Sequence, residues 1–151
     1  MHPVAYFKAQ AKKLHKDYKR RTFNEKEGFF EFPNCQFFDL ESIFLDFDLD
    51  YSREPSLMGA QHIIALISGL NSWDELIHLP ENELAFLKLQ FENQNKISLL
   101  DWREPYIGFR DQTKGITLES EIFVYEQHLA NYHDSIYSLR SGYLIEKDSS
   151  L

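Results

Sequence analysis

The sequence predicts a mainly α fold, a compact helical domain with room for a small β hairpin or edge strands. Three observations carry this. Apolar residues return at three- and four-residue spacing from Val4 to Tyr18 and again from Ile122 to Tyr143. A nearly all-apolar run follows Ser56 and stops at Gly69. The aromatic share of 15%, within an apolar share of 43%, supplies enough bulk for a packed interior and excludes a disordered chain.

The first helix places Val4, Phe7, Ala11, Leu14 and Tyr18 on one side and Lys and Arg on the other. From Thr22 to Asn34 the period breaks, and Gly28 and Pro33 bracket a Phe-rich stretch that reads equally as a short strand or a packed loop. The first part of the segment from Phe37 to Asp50 suits a helix. From Asp46 to Tyr51 polar and apolar residues alternate, a period of two that predicts an extended edge. Ser56 caps a buried helix through Leu57, Ala60, Ile63, Ile64, Ile67 and Leu70. Ser72 and Glu75 have capping-box spacing, so a short helix starts at Trp73. Pro80 opens the next helix as its first residue, with Glu81 and Glu83 at the positive dipole end and Leu84, Leu87 and Phe91 as its stripe. Residues 96–117 hold Pro105, Gly108 and Gly115 and predict a hairpin or an ordered loop. A long C-terminal helix then keeps its stripe through Ile122, Tyr125, Leu129, Tyr132, Ile136, Leu139 and Tyr143, with Asn131 and Ser141 as places where it can fray or kink. One helical domain over residues 1–146 and a flexible polar tail over 147–151 complete the organisation.

Composition bounds function. The net charge is −8, unevenly spread: seven basic residues against Asp17 leave +6 over residues 1–21, so the remainder carries −14. Such a chain repels phosphate-rich partners as a whole, which disfavours nucleic acid, although the basic first helix can touch phosphates locally or dock on the chain's own acidic surface. Cys35 stands alone, which excludes an intramolecular disulfide and suits a reducing, cytoplasmic setting. No apolar run reaches the roughly 20 residues that span a bilayer, so no membrane partner is expected.

No chemistry-bearing motif stands out, and no metal or cofactor is expected. Asp46, Asp48 and Asp50 resemble the start of a calcium loop, but Tyr51 and Leu57 occupy the sixth and twelfth positions, where Gly and Glu are needed. Glu75 and His78 form one Glu-x-x-His pair where a di-iron bundle needs two. His128 and His133 are five apart, which turns them away from each other on a helix. His62 reads as a core or boundary imidazole, and Trp73 and Trp102 as core or boundary aromatics. The preferred reading is a non-enzymatic acidic regulatory or interaction domain, in one version an inhibitor or antitoxin-like protein covering a basic partner surface. Its partner-binding candidates are Asp46, Phe47, Asp48, Asp50 and Tyr51 on the acidic strip, and Tyr125 and Tyr132 on the last helix, which can also build a homodimer through residues 122–143. The alternative is a small hydrolase or transferase using His62 or His78 with neighbouring carboxylates.

The run Ala60-Gln61-His62-Ile63-Ile64-Ala65, followed by Gly69-Leu70-Asn71-Ser72-Trp73-Asp74-Glu75-Leu76, resembles a short helical module of bacterial proteins. That module recurs beside ankyrin repeats and in plasmid-borne proteins labelled glyoxalase-related. Ala11, Lys12 and Leu14 are similar to its preceding helix. The resemblance covers about a third of the chain and rests on packing and capping residues. The acidic Phe-rich stretch before Pro55 departs from it. It implies a helical fold without chemistry, since the His and Glu metal ligands of glyoxalases have no counterpart here.

Overall fold

The computed structural model describes residues 2–103, 117–138 and 142–146. Helix α1 spans Pro3–Lys19, with Pro3 at the first helical position and the His2 ring Nδ1 accepting the Val4 N–H at 3.1 Å. Its stripe is the one the spacing predicts, since Phe7, Ala11, Leu14 and Tyr18 are buried. The ambiguous Phe-rich stretch resolves into a hairpin, β1 (Thr22–Asn24) antiparallel to β2 (Phe29–Glu31), with Phe23 opposite Phe30. Its turn closes because Asn24 Oδ1 accepts the Glu27 N–H and Gly28 takes a left-handed φ of 78°.

Helix α2 (Leu40–Asp46) is capped by the Asp39 carboxylate, and α3 (Leu57–Ile67) by Ser56, as its sequence predicts. A Schellman motif closes α3: the Leu70 N–H reaches Ala65 O and the Gly69 N–H reaches Leu66 O, both at 3.0 Å. Gly69 sits at φ 83°, and a Cβ there would meet the Arg103 side chain at 2.8 Å. Helix α4 (Trp73–Ile77) starts at the Ser72 cap, but the Glu75 carboxylate returns to the Asn71 N–H, one residue earlier than a capping box requires. Pro80 is the N-cap of α5 (Glu81–Glu92) and not its first residue. A helical stretch, α6, includes residues 99–103. Most of the segment expected to form a hairpin or loop, 104–116, lies outside the described residues, as do Leu139 and the tail 147–151.

The long C-terminal helix requires correction. Helix α7 covers Leu118–Ala130 and ends at Asn131, after which the backbone tightens into the 3-10 turns Tyr132–Asp134 and Ile136–Ser138. Two bonds compete with continued helix: Ser135 Oγ pairs with His128 Nδ1 at 2.8 Å, and Tyr137 O accepts the Ser98 N–H at 2.7 Å. A continuous 122–143 helix for dimerisation therefore does not exist.

Two apolar clusters form the interior. The larger joins α1, α2, α3, α4 and α5 through residues such as Leu14, Ile43, Ile64, Leu76 and Phe91. The smaller gathers Phe86, Ile97, Trp102 and Tyr125, with the Trp102 ring edge-on to Tyr125 at 5.0 Å. Helix α5 walls both, giving Leu84, Leu87 and Phe91 to one and Phe86 to the other.

Charge holds the remaining segments in place. Asp17, 1% exposed on the buried face of α1, accepts the N–H groups of Gln36, Phe37 and Phe38, each at 2.8 Å. On this fixed segment the strand-like strap 142–146 pairs: Asp39 N–H donates to Tyr143 O, Ile145 N–H to Phe37 O, and Phe38 bridges Leu144. Gln94 Oε1 accepts the Tyr143 N–H and the Asn95 amide donates to Leu144 O, so the turn that follows α5 grips the strap from its other side. A Cβ at Gly142 would meet Gln94 Cγ at 2.5 Å, which explains glycine there.

Asp17→Ala leaves three buried or half-buried N–H groups without their acceptor. At about 1–3 kcal/mol for each orphaned group, the unfolding free energy falls by about 3 kcal/mol or more, read by urea denaturation. A loss below about 1 kcal/mol would show that these bonds do not anchor the segment.

Candidate functional site

The acidic strip is the end of a helix. Helix α2 runs to Asp46, Phe47 is its C-cap, and Asp48 adopts φ 51°, the one described non-glycine residue with positive φ. The Leu49 N–H then reaches Phe44 O at 3.0 Å and the Asp48 N–H reaches Leu45 O at 3.3 Å, a Schellman closure with Asp where glycine is usual. This overturns the extended edge. Alternation over six residues is met equally by one helical turn followed by a chain reversal.

The reversal sorts the strip's side chains. Phe47 and Leu49 turn inward against the larger cluster, and the Phe47 ring lies 5.9 Å from Tyr143, so Phe47 is not free to anchor a partner. Asp46 is exposed, and one oxygen accepts the Tyr143 hydroxyl at 2.8 Å. Asp48, Asp50 and Tyr51 remain at the surface. Asp50 accepts the Ser52 N–H at 3.0 Å and its hydroxyl, which hold its carboxyl below the usual carboxylate range, with Arg53 adding to the effect. Its favourable interactions are thus present at neutral pH and are lost as the pH falls through that lowered value.

Helix α1 fixes the far side of the strip. The Tyr18 hydroxyl donates to Arg53 O at 2.8 Å, and the Arg21 guanidinium donates to Tyr51 O while lying 3.8 Å from the Phe30 ring centre. Burial pushes the Tyr18 hydroxyl pKa up, so it stays a donor at neutral pH.

Between the hairpin and α2 these constraints leave a groove of about 660 Å³. Its walls are aromatic and aliphatic, Phe29, Phe30, Phe44 and Leu45 among them, and Glu31, Glu41 and Asp48 stand at it. Leu45 is 79% exposed and Phe29 39%, a large apolar surface for a helix and a hairpin to leave in water. A neighbouring cavity of about 350 Å³ shares Phe44, Asp48 and Leu49 with it and adds Asp50, Glu54 and His62. Aromatic walls with carboxylates suit an apolar segment that carries cations.

The other candidates fall elsewhere. Tyr125 is fully buried, its hydroxyl pKa raised by that burial, so it belongs to the core and not to a partner surface. Tyr132 is half-buried, with Lys96 5.5 Å from its ring centre and the His133 ring 4.0 Å away. His62, expected at the core or boundary, is exposed and lines the smaller cavity without a hydrogen bond among the described residues. His78 is exposed at the end of α4, its Nδ1 2.7 Å from Asp74 O, and lines neither cavity. Among the described residues no group of three His, Cys, Asp or Glu side chains is placed to share a metal ion. No helix among them is long and apolar enough to cross a membrane.

Sequence reasoning missed the groove's second wall. Phe29, Phe30, Glu31 and Glu41 acquire meaning only when the hairpin folds against α2, and no local spacing announces that. Asp17 did leave a signal: it is the lone acid among the charges of α1 and falls on the apolar stripe. No family model matches the chain, and no curated protein or solved structure matches it.

Asp48 holds a conformation that costs an L-residue about 1 kcal/mol, which glycine avoids. Asp48→Gly is expected to raise the thermal midpoint by a few degrees while removing one carboxylate from the groove. A lowered midpoint in calorimetry would show that the Asp48 side chain stabilises the turn.

Proposed function

We propose that the chain is a non-enzymatic interaction domain whose groove between the hairpin and α2 receives a basic, apolar segment of another protein. The observation that carries this reading is the juxtaposition of exposed Phe29 and Leu45 with Glu31, Glu41 and Asp48 in one groove. Apolar burial supplies affinity in such a site, and carboxylates that have surrendered little to internal ion pairs supply selectivity for cations. Of the three ion pairs between described residues, only Arg53–Asp50 lies near it, at 4.0 Å and well exposed.

An inhibitor or antitoxin-like role is the version in which that segment belongs to the working surface of a basic target, acting in a bacterial cytoplasm. The resemblance of α3 and α4 to a bacterial helical module supports this setting and adds no chemistry. The enzymatic alternative draws on one observation, His62 sharing a cavity with Asp48, Asp50 and Glu54. A general base needs an orienting partner within hydrogen-bond reach, and His62 has none among the described residues.

Selection of displayed peptides on the immobilised chain tests the reading. Enriched peptides are expected to interleave Lys or Arg with Leu, Phe or Trp, and to lose affinity at least about tenfold toward a Leu45→Glu, Asp48→Lys double variant. Peptides that are acidic, or that bind both proteins equally, would overturn it.

A further inference from the structure

The solvent face of α1 is the other strongly charged surface of this protein, and the groove leaves it unused. Lys8, Lys12, Lys16 and Lys19 are all exposed. At 100° per residue they fall within about 80° of arc, along about 16 Å of helix axis. Lys13 and Arg20 flank them, also exposed. Asp17, the one acid of the helix, is turned inward and satisfied by backbone N–H groups, so it neutralises nothing on this face.

The face finds no anion among the described residues. Among the described residues the ion pairs are Arg53–Asp50, His78–Asp74 and Lys88–Glu92, and no lysine of α1 takes part in one. No carboxylate among the described residues thus docks on the lysines of α1, the arrangement that the charge split allows. The helix docks through its apolar stripe, and among the described residues Lys13 alone of its lysines lies over a ring, that of Phe37 at 5.6 Å. Lys8 with Lys12, and Lys12 with Lys16, are repulsive pairs at i,i+4 with no carboxylate between them, although the chain has 24 acidic residues to place.

The chemistry of the face narrows the partner. Apart from its cations it presents Ala5 to solvent and no large apolar side chain. A protein partner lacks the apolar centre that a stable interface needs, and a lipid surface lacks anything to insert. A second copy fails for the same reason, since this face carries nothing to fill the apolar groove. Lysines are mobile point charges, suited to a repeating array of anions more than to one fixed carboxylate. Charge alone suffices for one class of polyanion, because each phosphate neutralised releases counterions. We infer that the solvent face of α1 is a docking surface for the phosphodiester backbone of a nucleic acid, read without regard to base sequence. The net charge of −8 makes this contact weak and strongly salt-dependent, and confines it to α1. The inference stands on the lysine face and does not rest on the groove.

Fluorescence anisotropy with the full chain tests it, using labelled duplexes of about 20 base pairs, one DNA and one RNA. Four engaged lysines predict that affinity falls about 100-fold between about 50 and about 200 mM salt, alike for both duplexes and for scrambled sequences. Lys12→Glu and the helix-preserving Lys12→Gln should each weaken binding, the former about tenfold, and flatten the salt dependence. Lys26→Glu on the hairpin turn, which changes net charge equally, should leave it unchanged. Absence of binding to both duplexes at the lower salt would overturn the inference. So would equal losses from Lys12→Glu and Lys26→Glu, or binding to vesicles containing phosphatidylserine but to neither duplex.

Discussion

A single buried carboxylate organises the middle of this protein. Asp17 lies where the apolar stripe of α1 would otherwise continue, and burying an ion there is tolerable only because three backbone N–H groups converge on it. In answering that charge the chain fixes residues 36–38. Three features inherit their position: the Asp39 cap of α2, the bridge from Phe38 to Leu144, and the strap held by Gln94 and Asn95 in the turn after α5. Segments over a hundred residues apart in sequence thus meet on a scaffold whose first bonds join α1 to residues 36–38.

The groove follows from the same constraint. Because 36–38 is pinned, α2 leaves the scaffold at one angle, and its far end must reverse at Asp48 to return Leu49 to the core. Tyr18 and Arg21, on the last turn of α1 and just beyond it, then tie down the Tyr51–Arg53 loop. Phe32 and Phe44 stack with rings 5.4 Å apart, joining the hairpin's exit to α2 and closing the groove's base. The groove is thus continuous with the core at Phe44 and Leu49 and apolar where Phe29 and Leu45 face water.

Helix α1 serves two opposed purposes. Its inner face supplies Phe7, Leu14 and Tyr18 to the core and Asp17 to the scaffold, while its outer face concentrates positive charge that the fold does not use. The apolar groove with its carboxylates and the cationic face of α1 are separate surfaces, and the two contacts proposed for them draw on different forces, burial in one and counterion release in the other.

Much of the helical framework was legible in sequence because its determinants are local. The three-four spacing of α1, the Ser56 and Ser72 caps and the Gly69 stop each act within one or two turns, and each lies where spacing placed it. The failures share a cause. Alternation through Asp46–Tyr51 suggested a strand, the Ile122–Tyr143 period suggested one helix, and Tyr125 looked available on its stripe. In each, contacts from far along the chain add to or override the local signal: Tyr143 on Phe47 beside the closure at Asp48, Tyr137 on Ser98 beside the Ser135–His128 bond, Trp102 and Phe86 on Tyr125. By itself, then, the sequence determined which segments coil and where they are capped, since hydrogen bonding and side-chain period are short-range. Which faces are covered, which aromatics are left to build the groove and which charges stay in water were decided only by tertiary structure, because burial depends on what distant segments bring to the same place.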